Sequence, residues 1–375
     1  MNTFIAGQLE NQGYYSCFKP NPINREWAIE DMRIISLLSK ADRILGRLDM
    51  FSNYVPNIDM FIRMHVVKEA TKSSNIEGTQ TDIEEALQSH EDVPLDKRDD
   101  WSEVQNYIDA MNFAINELSA LPLSSRLIRM VHEHLMRGVR GEHKQPGEFR
   151  RSQNWIGGRT PSDAVFVPPV HLDIPELMGD IESFIHSPVC DLPDLIKIAI
   201  IHYQFETIHP FNDGNGRTGR LLITLYLVSK GILQRPILYL SDFLEKHRRS
   251  YYDKIMAVRT ENKIGDWVAF FLEGVIETAH NGTRTLSDIL DLQREYSDLI
   301  RPLGARAVNA RKLINAMYSN PYIDGLGAAK ILEVTPPTAY ALLRDMSKSG
   351  IIKEVMNSGR ERKYVLDKYL KIFKG

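Results

Sequence analysis

Along most of the chain, apolar side chains recur at three- and four-residue steps, the spacing that lines one face of an α-helix. Leu37, Leu38, Ala41, Ile44, Leu45 and Leu48 follow this pattern, as do Val104, Tyr107, Ile108, Met111, Ile115 and Leu118. Further helices are expected at about 124–137, 174–186, 192–208, 214–230, 242–259 and 265–300, so the fold class is all-α. The pattern breaks twice. From Gly138 to Pro169 the chain is rich in Gly, Pro, Arg and Ser, with short β-like runs such as Ala164–Val167. An irregular stretch of that length in a helical domain tends to carry function. A different unit begins at Pro302–Gly304. Three parts are therefore expected: an N-terminal helical region over 1–110, a helical core over 111–300 and a C-terminal domain over 301–375.

Composition narrows the class. With 43% hydrophobic and 25% charged residues, the chain is neither disordered nor fibrous. Cys17 and Cys190 are the only cysteines, too few for a disulfide framework or a zinc knuckle. The first residues lack the basic start and apolar stretch of a secretory signal, and Leu221–Val228 is far short of the roughly 18 apolar residues of a membrane helix. A cytoplasmic protein without membrane contact is expected. The net charge of −3 says little, but its distribution says more. From Arg306 onward, 13 Lys/Arg face 6 Asp/Glu, giving +7, while the preceding 305 residues carry −10. Such asymmetry is one footprint of nucleic-acid contact.

The candidate chemistry gathers in His209–Arg220, HPFNDGNGRTGR, which follows one predicted helix and opens another. Gly214 and Gly216 allow backbone to approach a ligand closely. The first N–H groups of the following helix then face any anion bound there. Arg217 and Arg220, three apart, share a helix face and can clamp phosphate oxygens together. Asp213 is a hard oxygen ligand suited to Mg²⁺, and His209 can take a proton near neutrality. Gly214, Gly216 and Gly219 also spell a dinucleotide-binding fingerprint. That reading fails because the preceding segment, Ile198–Ile208, is helical in pattern where the fingerprint needs a strand.

The same twelve residues resemble the Fic signature, His-x-Phe-x-Asp/Glu-Gly-Asn-Gly-Arg-x-x-Arg, at every defined position, within a likeness that covers about 60–300. The resemblance implies a protein AMP transferase on a helical Fic core. His209 would deprotonate a Tyr, Thr or Ser hydroxyl of a target protein, which attacks the α-phosphorus of ATP as pyrophosphate leaves. Asp213 would hold Mg²⁺ on the phosphates. Gly214, Asn215 and Gly216 would form the anion hole, Arg217 and Arg220 would hold the β- and γ-phosphates, and Phe211 would be a buried anchor. Upstream, Ser73–Gly78 (SSNIEG) ends a predicted helix with Phe61, Met64, Val67 and Ala70 on its apolar face. It resembles the family's inhibitory motif, which implies that Ser73 and Glu77 are autoinhibitory and that the Glu77 carboxylate pairs with Arg220, the guanidinium that the γ-phosphate needs. Gly147–Pro169 resembles the family's β-hairpin flap, against which a target segment adds as a strand. Tyr251 and Tyr252 resemble a tyrosine pair set near adenosine. His132 and His134 flank Glu133 without the spacing of a zinc site, and His65, His171 and His280 stand alone, so no role is assigned to them.

The tail reads as a winged helix: helices at 311–319 and Gly327–Leu332, a turn at Val334–Pro336, and a recognition helix over Pro337–Ser349. In that helix Ala341, Leu342 and Met346 are expected to point inward, and Ala339, Tyr340, Arg344 and Lys348 to face a partner. Ile351–Val355 and Lys363–Leu366, joined by Asn357–Arg362, would form a basic wing. DNA and protein are both candidate partners of this domain, and a second copy of the chain is another. Two alternative functions share the site: a DNA-binding regulator that senses nucleotide without turnover, and an enzyme that removes AMP. The intact His209, Asp213 and both arginines favour transfer.

Overall fold

The computed structural model of the chain describes residues 1, 4–55, 58–140, 142–187, 191–356 and 362–374. Cys190 and the predicted wing turn from Asn357 to Glu361 lie outside them. The helices are α1 (Met32–Tyr54), α2 (Asp59–Glu77), α3 (Ile83–Ala86), α4 (Arg98–Glu117), α5 (Ser125–Leu135), α6 (Ile174–His186), α7 (Asp194–Ile208) and α8 (Asn215–Ser229). They continue as α9 (Ser241–Lys246), α10 (Arg248–Glu261), α11 (Ile264–Ile300), α12 (Ala307–Ser319), α13 (Gly325–Leu332), α14 (Pro336–Lys348) and α15 (Asp367–Lys374).

The centre of the molecule is the α7–α8 pair. Every side chain from Leu195 to Ile208 is buried, as is every one from Thr218 to Leu227. A helix apolar on nearly all sides has no solvent face to turn outward and so becomes the core. Around this pair pack α2, α4, α5, α6 and α11, while α1 lies along α11. At 37 residues α11 is about 55 Å long and carries the chain out to the C-terminal unit.

Before the C-terminal unit, the pattern reading needs three corrections. Gly7–Asn11 (β1) and Ser16–Pro20 (β2) form an antiparallel hairpin, where only helices were expected within 1–110. The strands are only five residues long, too short for an alternating signal to rise above the background. The helix expected at 242–259 is two helices, broken at His247, whose backbone (φ −108°, ψ 29°) leaves the helical range. The flap is not a regular hairpin. Among the described residues it has a single bridge, Ile156 to Phe166, closed by a turn in which Asp163 accepts from the Arg159 and Thr160 amides. Glycines at 157 and 158 with positive φ hold the turn open and prevent ladder growth.

After α12, Tyr322–Asp324 (β3), Lys353–Met356 (β4) and Arg362–Val365 (β5) form an antiparallel sheet in the order β3-β5-β4, with α13 and α14 packed beside it. Ala339 is buried with Leu342, Leu343 and Met346, so it belongs to the inner face of α14 and not to the outer one expected. This unit docks on the back of α2. Phe61 meets Tyr318 and Tyr369 at ring distances of 4.9 and 6.1 Å, and the His65 ring lies edge-on to Phe373 at 5.0 Å.

Candidate active site

The loop between α7 and α8 is built by its own polar side chains. His209 caps α7 in the left-handed conformation (φ 50°, ψ 59°), its N–H bonded to the Phe205 carbonyl at 2.9 Å. A β-carbon residue there is uncommon and tends to mark function. Phe211 is fully buried, and Asn215 clamps it twice: the Phe211 N–H donates to Asn215 Oδ1 and Asn215 Nδ2 donates to the Phe211 carbonyl, both at 2.8 Å. The Asn215 side chain thus shapes the loop. Gly214 (φ 73°) starts α8, and a β-carbon there would stand 2.7 Å from Met136 Sδ. At Gly216 a β-carbon would stand 2.2 Å from Glu77 Oε1, so this glycine lets a carboxylate lie on the first turn of α8.

The structure brings together the inhibitory and phosphate-binding candidates. Arg220, nearly fully buried, donates from Nε to Ser73 Oγ (2.8 Å) and from Nη2 to the Ser73 carbonyl (3.0 Å) and Glu77 Oε1 (2.5 Å). Burial works against the guanidinium charge, but Glu77, helped by Tyr251, Tyr252 and Glu206, more than offsets it and holds Arg220 protonated. Burial likewise raises the Glu77 carboxyl, and Arg220 more than reverses this, leaving it below the ordinary value. Gly78 (φ 111°) ends α2 directly after the glutamate. Arg217 has a different partner: Nη1 donates to the buried Glu103 of α4 at 2.9 Å, while Nε is buried without a partner. A cleft of about 270 Å³ opens between Glu77 and Thr79 on one side and Asp213, Gly214 and Arg217 on the other.

Asp213 is about one-third exposed and bonds to Lys144 Nζ at 2.9 Å and to the Gly214 N–H at 2.7 Å. Burial raises its carboxyl, but Lys144 and the amide offset this and leave it below the usual value. The His209 imidazole is lowered to about 4 by burial, then by Arg259 and Arg150, so it is neutral at pH 7 with a lone pair available. Its Nδ1 has no partner of good geometry, although the Glu206 carbonyl lies near enough to favour a proton on the ring.

Several residues here carry no local signal in the sequence. His132, assigned no role above, stacks on Phe211 (3.7 Å, 3° between planes). Its Nδ1 accepts from the Gly147 N–H at 2.9 Å, so Nε2 carries the proton and donates to the Asp213 carbonyl at 2.9 Å. It ties the start of the flap to the metal-ligand candidate. Arg150 fastens the flap to the loop, with its N–H on the Pro210 carbonyl (2.9 Å), Nε on that of His209 (3.0 Å) and Nη2 on that of Pro169 (2.6 Å). Glu103, Lys144, Glu206 and Arg259 come from four separate segments. Tyr251 is buried, and its hydroxyl donates to His202 Nε2 (3.0 Å), whose Nδ1 donates to the Gly219 carbonyl (3.0 Å). Tyr252, 42% exposed, is the tyrosine whose ring reaches solvent.

Comparison with known proteins agrees with this geometry. The Fic/DOC family N-terminal model matches residues 35–116 and the Fic/DOC family model matches 122–227, together half of the chain. The chain belongs to the Fic/DOC family. It is 33% identical over 190 residues to the protein adenylyltransferase Fic of Aedes aegypti, covering 50% of this chain and 34% of that protein. To the protein of the same name from Culex quinquefasciatus it is 27% identical over 278 residues, covering 69% and 52%. The chain thus spans about a third to a half of the length of these relatives. The fold resembles that of a Fic family protein from Desulfovibrio desulfuricans (TM-score 0.58, 21% identity, 91% of this chain and 97% of that one). It also resembles Fic-1 from C. elegans (TM-score 0.51, 19% identity, 69% and 74%).

Proposed function

We propose that the chain transfers AMP from ATP to a hydroxyl group of a target protein and that Glu77 holds it inactive. The observation that carries this reading is the Glu77 carboxylate on the first turn of α8, bonded to Arg220 and resting over Gly216. A carboxylate bound there marks a site built for an anion, and its place is the one a terminal phosphate would need. In the reaction the target oxygen bonds to the α-phosphorus while the bond to the bridging oxygen of pyrophosphate breaks. His209 takes the hydroxyl proton. An incoming triphosphate adds negative charge near the imidazole and raises its basicity from the low resting value. Asp213 fits Mg²⁺: its carboxylate is ionised and open to the cleft, and Mg²⁺ bound with a nucleotide needs only one or two protein carboxylates. The ion would supply charge neutralisation between phosphates. Arg217, through its free Nε, and Arg220, once released, would hold the phosphates.

The exposed Val165 and Trp155 beside the single flap bridge offer an unpaired edge to an extended target segment. The C-terminal unit, with α13 and α14 joined by a tight turn and followed by a hairpin, is read as a winged helix. The outer face of α14 presents Arg344 and Lys348, a modest charge for DNA. Among the described residues no helix is long and apolar enough to cross a membrane; we read the chain as cytoplasmic.

Labelling with α-³²P-ATP and Mg²⁺ tests the proposal. Glu77→Gly is expected to label itself or a lysate protein well above the parent, and Glu77→Gly/His209→Ala to lose about 10²–10⁴-fold, the range of a positioned general base. Equal labelling by parent and Glu77→Gly would sink the inhibitory reading, and a fully active double variant would sink the base.

A further inference from the structure

Of the carboxylates that feel the charge of Arg220, namely Glu69, Glu77 and Glu206, only Glu77 is hydrogen-bonded to it. Glu77 arrives from α2 and bonds to Nη2. Glu206, on α7, is 8% exposed, and its Oε1 is buried without a hydrogen-bond partner. It is pressed against α8 at the residue before Arg220, for a β-carbon on Gly219 would stand 2.4 Å from that oxygen. A buried carboxylate lacking donors is costly when ionised. Burial accordingly raises Glu206 to about 7, with Arg220 pulling it down and Glu77 pushing it up.

Other charged or titratable groups around Glu206 are already committed. Arg259 of α10 donates to the Glu206 carbonyl (2.9 Å) and to Thr207 Oγ1 (3.1 Å), and it lies over the Phe166 ring at 3.7 Å. Tyr251 and Tyr252, also on α10, are pushed above their ordinary values and stay neutral. His209, on α7 itself, is lowered to about 4 and is neutral too. Glu69 of α2, which also feels Arg220, is satisfied by the Tyr107 and Ser241 hydroxyls and the Ser241 N–H. The groups left to exchange charge are Glu77 on α2, Arg220 on α8 and Glu206 on α7.

We propose that Glu206 is a positioning residue for Arg220, taking the guanidinium as its counterion when Glu77 leaves and releasing one proton to water as it does so. In the closed state Arg220 pairs with ionised Glu77, while Glu206 holds its proton below about pH 7. In the open state Glu77 has moved away with α2, a like charge is gone, and Glu206 ionises against Arg220. The buried arginine therefore never lacks a counterion, which makes opening far less costly than exposing an unpaired buried charge. The guanidinium also stays on α8, aimed at the cleft. Because the closed state holds one more proton, acid favours closure, by at most about tenfold per pH unit below the closed-state value near 7. This inference rests on Arg220 being the group that receives phosphate.

Two readouts test it, one of which needs no nucleotide. Hydrogen exchange of the Ser73–Glu77 amides, corrected for intrinsic rates, is measured from pH 5.5 to 8 alongside ATP affinity with Mg²⁺. In the parent, opening is expected to rise severalfold between pH 6 and 7 and flatten above, with ATP affinity rising in step. Glu206→Gln mimics the protonated carboxyl and should remove the slope from both readouts, while Glu206→Asp keeps a slope with a displaced midpoint. Glu77→Gly should bind ATP tightly without that pH dependence. A slope in folded Glu206→Gln equal to the parent's overturns the proposal; should that variant fail to fold, an unmoved midpoint in Glu206→Asp does so. An exchange slope that depends on Glu206, with no chain binding ATP, supports the handover and rejects the phosphate reading.

Discussion

The molecule contains two helix–turn–helix corners, α7 to α8 and α13 to α14, and they are built on opposite terms. Each first helix ends on a side-chain-bearing residue in the left-handed region, His209 (φ 50°) and Glu333 (φ 59°). After the α13 turn, the buried face of α14 is Ala339, Leu342, Leu343 and Met346, and its charges, Arg344 and Lys348, are solvated. After the α7 loop, Asn215, Arg217, Thr218 and Arg220 are buried along with the apolar residues. A fold alone needs only the first arrangement. Burying two guanidiniums costs several kcal/mol each unless they are paired, so their presence argues for binding. The pairing partners, Glu103 and Glu77, come from two other helices, which places the second corner under the control of its surroundings.

The sharpest contrast is in response to acid. The C-terminal unit has no histidine, whereas His202 and His209 sit in α7 and its cap, with His132 against the loop and His65 on the back of α2. Burial, the leading cause in every case, lowers His202 to about 3 and the other three to about 4. Unfolded, each would titrate near 6.5 and take a proton that the native state refuses. Their stabilisation is therefore complete above pH 6.5 and is lost as pH falls toward 4. Glu206, raised to about 7, has the opposite sign: its contribution is present below about 4.5 and lost as pH rises to 7, and Glu69, Asp42 and Asp180, raised by burial, share that sign. Urea midpoints followed by fluorescence of Trp267, which stacks on His202 at 5.9 Å, are expected to drop between pH 7 and 5 by an amount worth several kcal/mol. An unchanged or rising midpoint would show that the buried imidazoles are not neutral.

The second contrast is the pair on Arg217. Glu103 is 5% exposed and also accepts from Arg140 Nε at 2.8 Å. Glu103→Gln keeps the shape but leaves Arg217 buried without its counterion, which should cost about 3 kcal/mol by urea denaturation. A loss below about 0.5 kcal/mol would mean that Arg217 reaches water or Asp213, 4.0 Å away, and that this corner is less closed than described.

Much of this was legible in the sequence because the reactive loop is local. His209, Asp213, both glycines and both arginines lie within twelve residues, and α2 announces Glu77 by ending at Gly78. The helices with clear periodicity emerged with ends close to those expected. What stayed hidden is non-local. Nothing beside Glu103, His132 or Lys144 in the chain points to the loop, because the contact exists only once α4, α5 and the segment before the flap are packed, and Glu206, although three residues before His209, sits in an ordinary helical pattern. Asn215 stays on the first turn of α8 with the anion-hole glycines, and nothing in the sequence signals that its side chain bonds to the Phe211 backbone. Tyr251 was placed near adenosine, and its hydroxyl is spent on His202, in the core. The β1–β2 hairpin was too short to register, and the flap looked more regular in pattern than its glycines allow.

The smallest effect belongs to the other corner. Arg344 and Lys348 are exposed, and among the described residues no ion pair or hydrogen bond of their side chains is resolved. Replacing both by Ala removes surface charge alone, so stability should change by less than about 0.5 kcal/mol per site. The apolar face of α14 would remain packed, and the ³²P labelling of Glu77→Gly should be unaltered, because neither residue contributes to α2 or the loop. If the double variant instead loses stability or changes labelling, α14 would be coupled to the core through the face that α12 and α15 press on α2. The rings of Tyr318, Tyr369 and Phe373 against Phe61 and His65 are the contacts through which such coupling would pass. In that event the two corners would share one conformational equilibrium, and a partner docked on α14 would reach Arg220 along the length of α2.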